Sequence, residues 1–186
     1  MATSVSVLGF AGSLRKASYN RAALQAAVEL APPDTRLETF DLRGIPLYDG
    51  DVEAAGLPEA VRRFRERIAA ADALLIVTPE YNYSMAGVLK NAIDWASRPP
   101  DQPFHGKPVA ILGASMGGFG TARAQYHLRQ TCVYLNMLPL NKPEVFIAAA
   151  HQKVDAAGRL KDEPARASIR ALLEALAAWT RRLRPG

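Results

Sequence analysis

Two short segments hold side chains suited to gripping a ligand rather than building a core. The first reads Gly12-Ser13-Leu14-Arg15-Lys16-Ala17-Ser18-Tyr19-Asn20 and precedes a helical pattern. A helix N-terminus presents unpaired N–H groups and the positive end of a dipole, so it accepts phosphate readily. Ser13, Ser18 and Asn20 add neutral donors, and Arg15 adds a charge-assisted pair. Ser18 or Asn20 alone would serve as an ordinary helix cap. A cap needs one such residue, so three of them with an arginine point to a phosphate cradle.

The second segment, Thr78-Pro79-Glu80-Tyr81-Asn82-Tyr83-Ser84-Met85-Ala86-Gly87, follows an apolar run at 73–78. Pro79 fixes its own φ, removes one donor and leaves neighbouring N–H groups to face a ligand. An aromatic loop with exposed amides suits a flat heterocycle; the plainer alternative is a βα loop with surface tyrosines. A third cluster, Gly113-Ala114-Ser115-Met116-Gly117-Gly118-Phe119-Gly120, misses the dinucleotide spacing, and no stretch supplies a P-loop. Cys132, the one cysteine, falls within a helical pattern, so a cysteine-phosphatase nucleophile is lacking from the first loop. His105, His127 and His151 show no ligand spacing, which argues against a metal site. Trp95 and Trp179 lie on helical stripes and read as core or interface. Asn82-Tyr83-Ser84 matches a glycosylation triplet, which is accidental in a cytosolic chain.

Positioning these loops takes alternating strands and helices. Residues 4–10 are β-branched and apolar. Ala23, Leu24, Ala27 and Val28 repeat as one buried helical face that Pro32-Pro33 stops. Residues 36–42 alternate like a half-exposed strand. Pro58 opens a helix with Val61, Phe64 and Ile68 on one stripe and Glu59 and Arg63 spaced to pair outside. Residues 73–78, apolar on both faces, belong mid-sheet under helices on both sides. A helix at 87–97, a strand at 108–113, a long helix at 120–136 and a fifth strand at 143–149 follow. The last helix opens near Pro164 and carries Ile169, Leu172, Leu173, Leu176 and Leu183. The pattern predicts one α/β domain over 1–186: a doubly wound parallel five-stranded sheet of flavodoxin type, order 2-1-3-4-5, with helices on both faces. Its ligand site belongs at the switch point, beyond the carboxyl ends of strands 1, 3 and 4.

The 186 residues are 49% hydrophobic and 22% charged, an ordinary globular balance. No apolar run is long enough to span a bilayer. Met1-Ala2-Thr3-Ser4 lacks a basic n-region, and one cysteine suits a reducing compartment, so a cytoplasmic location is expected. The net charge of +5 includes Arg181, Arg182 and Arg184, placed to complement a helix C-terminus. No Lys/Arg stripe interleaves with aromatics, so nucleic acid is not an expected partner.

The first loop, residues 78–84, and Leu89-Lys90-Asn91-Ala92-Ile93-Asp94-Trp95 together closely resemble the NAD(P)H-dependent FMN reductases, nearest to their quinone and chromate reductases. Residues 41–48 and 125–130 resemble that subgroup too. The resemblance implies that Ser13, Arg15, Ser18 and Asn20 hold the FMN phosphate. It further implies that Pro79, Glu80, Tyr81 and Asn82 line the isoalloxazine ring, largely through backbone groups, with Ser115, Gly117 and Gly118 approaching from the loop after strand 4. Ala17 stands where many relatives are expected to carry glycine, tolerable unless the backbone there needs positive φ.

On that resemblance the chain is an NAD(P)H-dependent FMN reductase acting on quinones, flavins, azo compounds or oxyanions such as chromate. The flavin carries the chemistry, so no side chain is assigned as catalyst. The alternative is a flavodoxin-like electron carrier without a nicotinamide reaction of its own; a third is a flavin-free scaffold. The basic charge and Arg15 speak against the carrier. A homodimer or homotetramer is expected, with Tyr83 and Met85 as rim contacts. Arg123 and Tyr126 face an interface, the nucleotide or solvent.

Overall fold

The computed structural model describes residues 4–183. Its chain runs β1 (Val5–Ala11), α1 (Tyr19–Glu29), β2 (Thr35–Phe40), α2 (Gly50–Ala55), α3 (Glu59–Ala70), β3 (Ala73–Val77), β4 (Glu80–Tyr81), β5 (Ser84–Met85) and α4 (Gly87–Ala96). It continues through β6 (Pro108–Ala114), α5 (Ala122–Tyr134), β7 (Leu138–Pro139), β8 (Val145–Ile147), a 3-10 turn at Ala150–Gln152, and α6 (Glu163–Leu183).

β3 is buried at every position, as a strand apolar on both faces must be. It lies between β1 and β6, and β2 flanks β1, all in parallel register. Alternation along β3 divides the core into two layers. Leu75 and Val77 pack with Leu24 and Ala27 of α1 and with Ile169, Leu173 and Leu176 of α6. Leu74 and Ile76 pack on the opposite face with Phe64 and Ile68 of α3, Ile93 of α4 and Leu128 of α5. Burying each of these large side chains is worth about 1.5–3 kcal/mol relative to exposure. No helix of the described residues is long and apolar enough to cross a membrane.

The fifth strand expected at 143–149 is present in shortened form as β8, and a further piece, β7, precedes it at Leu138–Pro139. β7 pairs with Pro108 and Val109 at one end of β6, and β8 with Leu112 to Ala114 at the other. Pro139 and Pro143 lack N–H groups, so one strand through both would lose ladder bonds at each. Counted as one edge position, the two pieces complete the 2-1-3-4-5 order of a flavodoxin-like sheet.

Two short elements have no counterpart in the sequence pattern. The β4–β5 hairpin lies inside the loop after β3. α2 buries none of its residues, so it carries no apolar stripe to betray it. Ion pairs differ as well. Arg62, not Arg63, bridges Glu59 and Glu66 on α3. Arg181 pairs with Asp34, tying the end of α6 to the entry of β2 rather than standing as a solvated cap. Arg184 and Met1-Ala2-Thr3 lie outside the described residues.

Candidate functional site

A cavity of about 260 Å³ opens beyond the carboxyl ends of β1, β3 and β6. Strand order reverses there, because β1 leads to β2 on one side and lies against β3 on the other. Ser13, Arg15, Ser18 and Asn20 reach the cavity from the loop after β1; Pro79, Glu80 and Tyr81 come from the loop after β3, and Ser115 from the loop after β6. Asn82, Gly117 and Gly118 do not line it. Tyr19, Ala114 and Met116 do, and sequence reasoning gave them no role. Tyr19 and Met116 both stood within the segments singled out, but an aromatic residue and a methionine carry no ligand signature of their own.

Close packing holds the three loops together. A Cβ on Gly12 would come within 2.9 Å of Leu89 Cβ and 3.2 Å of Pro79 Cδ, so the first and second loops approach as only glycine permits. A Cβ on Gly113 would lie 2.0 Å from Thr121 Oγ1 and 2.3 Å from the Thr78 carbonyl oxygen. The close approach of the second and third loops thus depends on a bare backbone at Gly113.

In the first loop, Ser18 caps α1, its hydroxyl accepting from Arg21 N at 3.3 Å. Asn20 is buried and braces the end of β6: its Nδ2 donates to Ala114 O at 2.8 Å, and Ala114 N donates to its Oδ1 at 2.9 Å. Among the described residues the Ser13 hydroxyl has no hydrogen-bond partner, and the Arg15 guanidinium makes no hydrogen bond or ion pair, lying over the Tyr19 ring 5.2 Å from its centre. A cation and a hydroxyl are therefore left facing the cavity. Ala17 has no positive φ, so an alanine fits there without strain.

The second loop is locked. Asn82 and Tyr83 form the tight turn between β4 and β5 with φ of 49° and 65°, the sign a type I′ hairpin requires. Glu80 turns away to α5, where its Oε2 accepts from Arg123 N at 3.0 Å and Ala124 N at 3.1 Å. Its Oε1 accepts from Arg123 Nη1 at 3.2 Å. Thr121, at the N-cap of α5, makes no side-chain cap bond, so a carboxylate from another element satisfies the first-turn N–H groups. The Arg123 guanidinium lies between the Tyr83 and Phe119 rings, 3.9 and 4.4 Å from their centres. That stack occupies an arginine the sequence left open between interface, nucleotide and solvent.

In the third loop the Ser115 hydroxyl accepts from Gly117 N at 3.1 Å, and Gly117 and Gly118 lie exposed on the outer turn. Cys132 is buried in α5, and burial pushes its thiol up to about 12, far from nucleophilic use. Trp95 is buried and donates to Pro46 O at 2.9 Å; Trp179 donates to Leu138 O at 3.1 Å. Both tryptophans are structural anchors away from the cavity.

Residues 5–152, which hold every loop described above, match the family of NADPH-dependent FMN reductases. The chain is 66% identical over 184 residues to an NAD(P)H-dependent FMN reductase of Pseudomonas aeruginosa, covering 99% of this chain and 100% of that one. It is 47% identical over 171 residues to a 2-hydroxy-1,4-benzoquinone reductase of a Burkholderia species, covering 91% and 93% of the two chains. The solved flavoenzyme NAD(P)H:(acceptor) oxidoreductase of Paracoccus denitrificans superposes with a TM-score of 0.86 at 34% identity, over 96% of this chain and 98% of that one. With profile, relatives and cavity in agreement, the chain belongs to the NADPH-dependent FMN reductase family.

Proposed function

We propose that the cavity holds FMN and that the protein passes hydride from NAD(P)H through it to quinones, and also to free flavins, azo compounds and oxyanions such as chromate. One observation carries the reading: Arg15 and Ser13 face the cavity with no hydrogen-bond partner among the described residues, as a phosphate site requires. Bound FMN supplies the redox chemistry by accepting hydride and returning it to an acceptor. The chain's own residues bind and orient. Arg15, Ser13 and the first N–H groups of α1 hold the phosphate, and the Ser18 hydroxyl can donate while capping the helix. Pro79, Glu80 and Tyr81 present backbone to the ring, Asn82 holds the turn that sets their course, and the Glu80 side chain stays on α5. Asn20 serves by fixing Ala114, and Ser115, Gly117 and Gly118 shape the third loop. No side chain is needed as acid, base or nucleophile.

The whole of 1–186 acts as one domain in this reading, in a reducing cytoplasmic compartment that suits the single cysteine. A homodimer or homotetramer is part of it. Tyr83, at the tip of the second loop, and Phe119 and Tyr126 stand exposed, and a second copy would cover them. Met85, expected at the same rim, packs half-buried against the core instead. A strictly monomeric mass by light scattering at micromolar concentration would refute the assembly.

The test of function is direct. The purified protein should show a flavin spectrum, release FMN and not FAD on denaturation, and oxidise NADPH or NADH steadily when quinone is added. Flavin without nicotinamide turnover would make it an electron carrier, and no flavin uptake would remove both readings.

A further inference from the structure

Hydrogen-bonded side chains join the first and third loops twice, and the two bridges differ in kind. The inner one, Asn20 on the Ala114 backbone, is buried and made of two short bonds. The outer one is exposed. Tyr19, the first residue of α1, rests its half-buried ring on the core, and its hydroxyl donates to Met116 Sδ at 3.9 Å. Arg15 lies over the same ring, so Arg15, Tyr19 and Met116 form one continuous wall of the cavity. A thioether is a weak acceptor on a flexible, unbranched side chain, so this bridge opens at little cost. The facing wall has no such freedom, because Glu80 fixes the second loop to α5 through three hydrogen bonds.

We propose that Tyr19 and Met116 form a clasp on the cavity wall that sets how fast FMN leaves, an inference that rests on the cavity being the FMN site. A ligand extending from the first loop to the third is flanked by a rigid hairpin on one side and by this contact on the other. Opening the clasp breaks one weak hydrogen bond and leaves the Asn20 brace intact, so the flavin can exchange without loss of loop register. Tyr19 and Met116 are thus retention residues, with no part in hydride transfer.

The experiment loads wild-type, Tyr19→Phe, Met116→Leu and the double variant with FMN and follows the rise of free-flavin fluorescence after a dilution jump. Each single change removes the same O–H···S contact while keeping the bulk of the side chain. Release should quicken about two- to fivefold in each, the range a weak neutral hydrogen bond supports. The double variant should release no faster than the singles, since its two changes delete one contact. Apoprotein melting should not move. Release rates equal to wild type would overturn the clasp. So would effects that multiply in the double variant, or a loss of apoprotein stability that accounts for the faster release. A wild-type protein that takes up no FMN would instead overturn the cofactor site itself, and the clasp with it.

Discussion

In the loop after β1 the Ser13 hydroxyl and Arg15 guanidinium reach no hydrogen-bond partner among the described residues, whereas in the loop after β3 the Glu80 carboxylate accepts three hydrogen bonds. Both loops face the same cavity. One leaves polar side chains unpartnered at the cavity; the other commits its charged side chain to the first turn of α5. The difference separates two ways of binding. A phosphate is held by side chains that wait for it. A flat ring is held by a backbone that must already be in place, and order there costs nothing at the moment of binding. Substitutions in the first loop should therefore appear in ligand affinity, and those around the second in stability.

The largest effect belongs to Gly113, where the end of β6 meets the start of the second loop and the N-cap of α5. Gly113→Ala would drive a methyl group onto the Thr121 hydroxyl and the Thr78 carbonyl, 2.0 and 2.3 Å away. The Thr78 side of that clash is backbone and cannot rotate aside. We expect a loss of about 3 kcal/mol or more, read as a fall in melting temperature, with FMN uptake lost too. A variant that melted like wild type would show that β6 can draw away from Thr78 and that the second loop does not depend on that close approach.

Arg15→Ala should divide affinity from stability cleanly. The guanidinium makes no salt bridge among the described residues, so apoprotein melting should be unchanged. Losing a charge-assisted bond costs about 1.5–3 kcal/mol, so FMN should bind roughly ten- to a hundredfold more weakly in a fluorescence titration. Excess FMN should restore turnover. An unchanged dissociation constant would leave Arg15 a surface residue and return the first loop to an ordinary helix start.

Glu80→Ala tests the opposite loop. It uncaps α5 and frees Arg123, which should lower stability by about 1–2 kcal/mol even without flavin. Amide exchange at Arg123 and Ala124, the two N–H groups bonded to Glu80 Oε2, should speed up first. Glu80→Gln keeps an acceptor and should lose less. If both variants weaken FMN binding while melting like wild type, Glu80 acts on the ring directly and the contrast between the loops fails.

Strand order and a cavity at the switch point were legible in the sequence because they rest on patterns that repeat locally. The apolar run at β3 demanded two covering layers, and five strand signals set the switch point. The bracing of the site was not legible. Glu80 caps a helix whose first turn is 43 residues away, and Asn20 holds a backbone 94 residues away. Nothing in the spacing of an asparagine distinguishes a phosphate donor from a clamp. The fifth strand was legible as β8, whereas β7, two residues long and ending in a proline, carries too short a pattern to be read before its pairing with Pro108 and Val109 is known.

The smallest expected effect is at Asn82, and it sharpens the contrast most finely. Sequence resemblance places Asn82 at the flavin ring; the structure places it at the first turn position of the β4–β5 hairpin with φ of 49°, outside the cavity lining. These agree if the second loop recognises the ring through backbone alone, since the turn sets where the N–H groups of Glu80 and Tyr81 point. Glycine reaches positive φ freely, so Asn82→Gly should keep the turn and change stability by no more than about 0.5 kcal/mol. FMN affinity should stay within about twofold, because no hydrogen bond to the flavin is lost. Asn82→Ala keeps a Cβ but gives up the local hydrogen bonding that lets asparagine sit at positive φ, so it should cost about 1 kcal/mol. The order of the two variants carries the argument. If glycine weakens FMN binding tenfold while the fold melts normally, the carboxamide itself touches the flavin. The second loop would then bind with a reserved side chain, just as the first does.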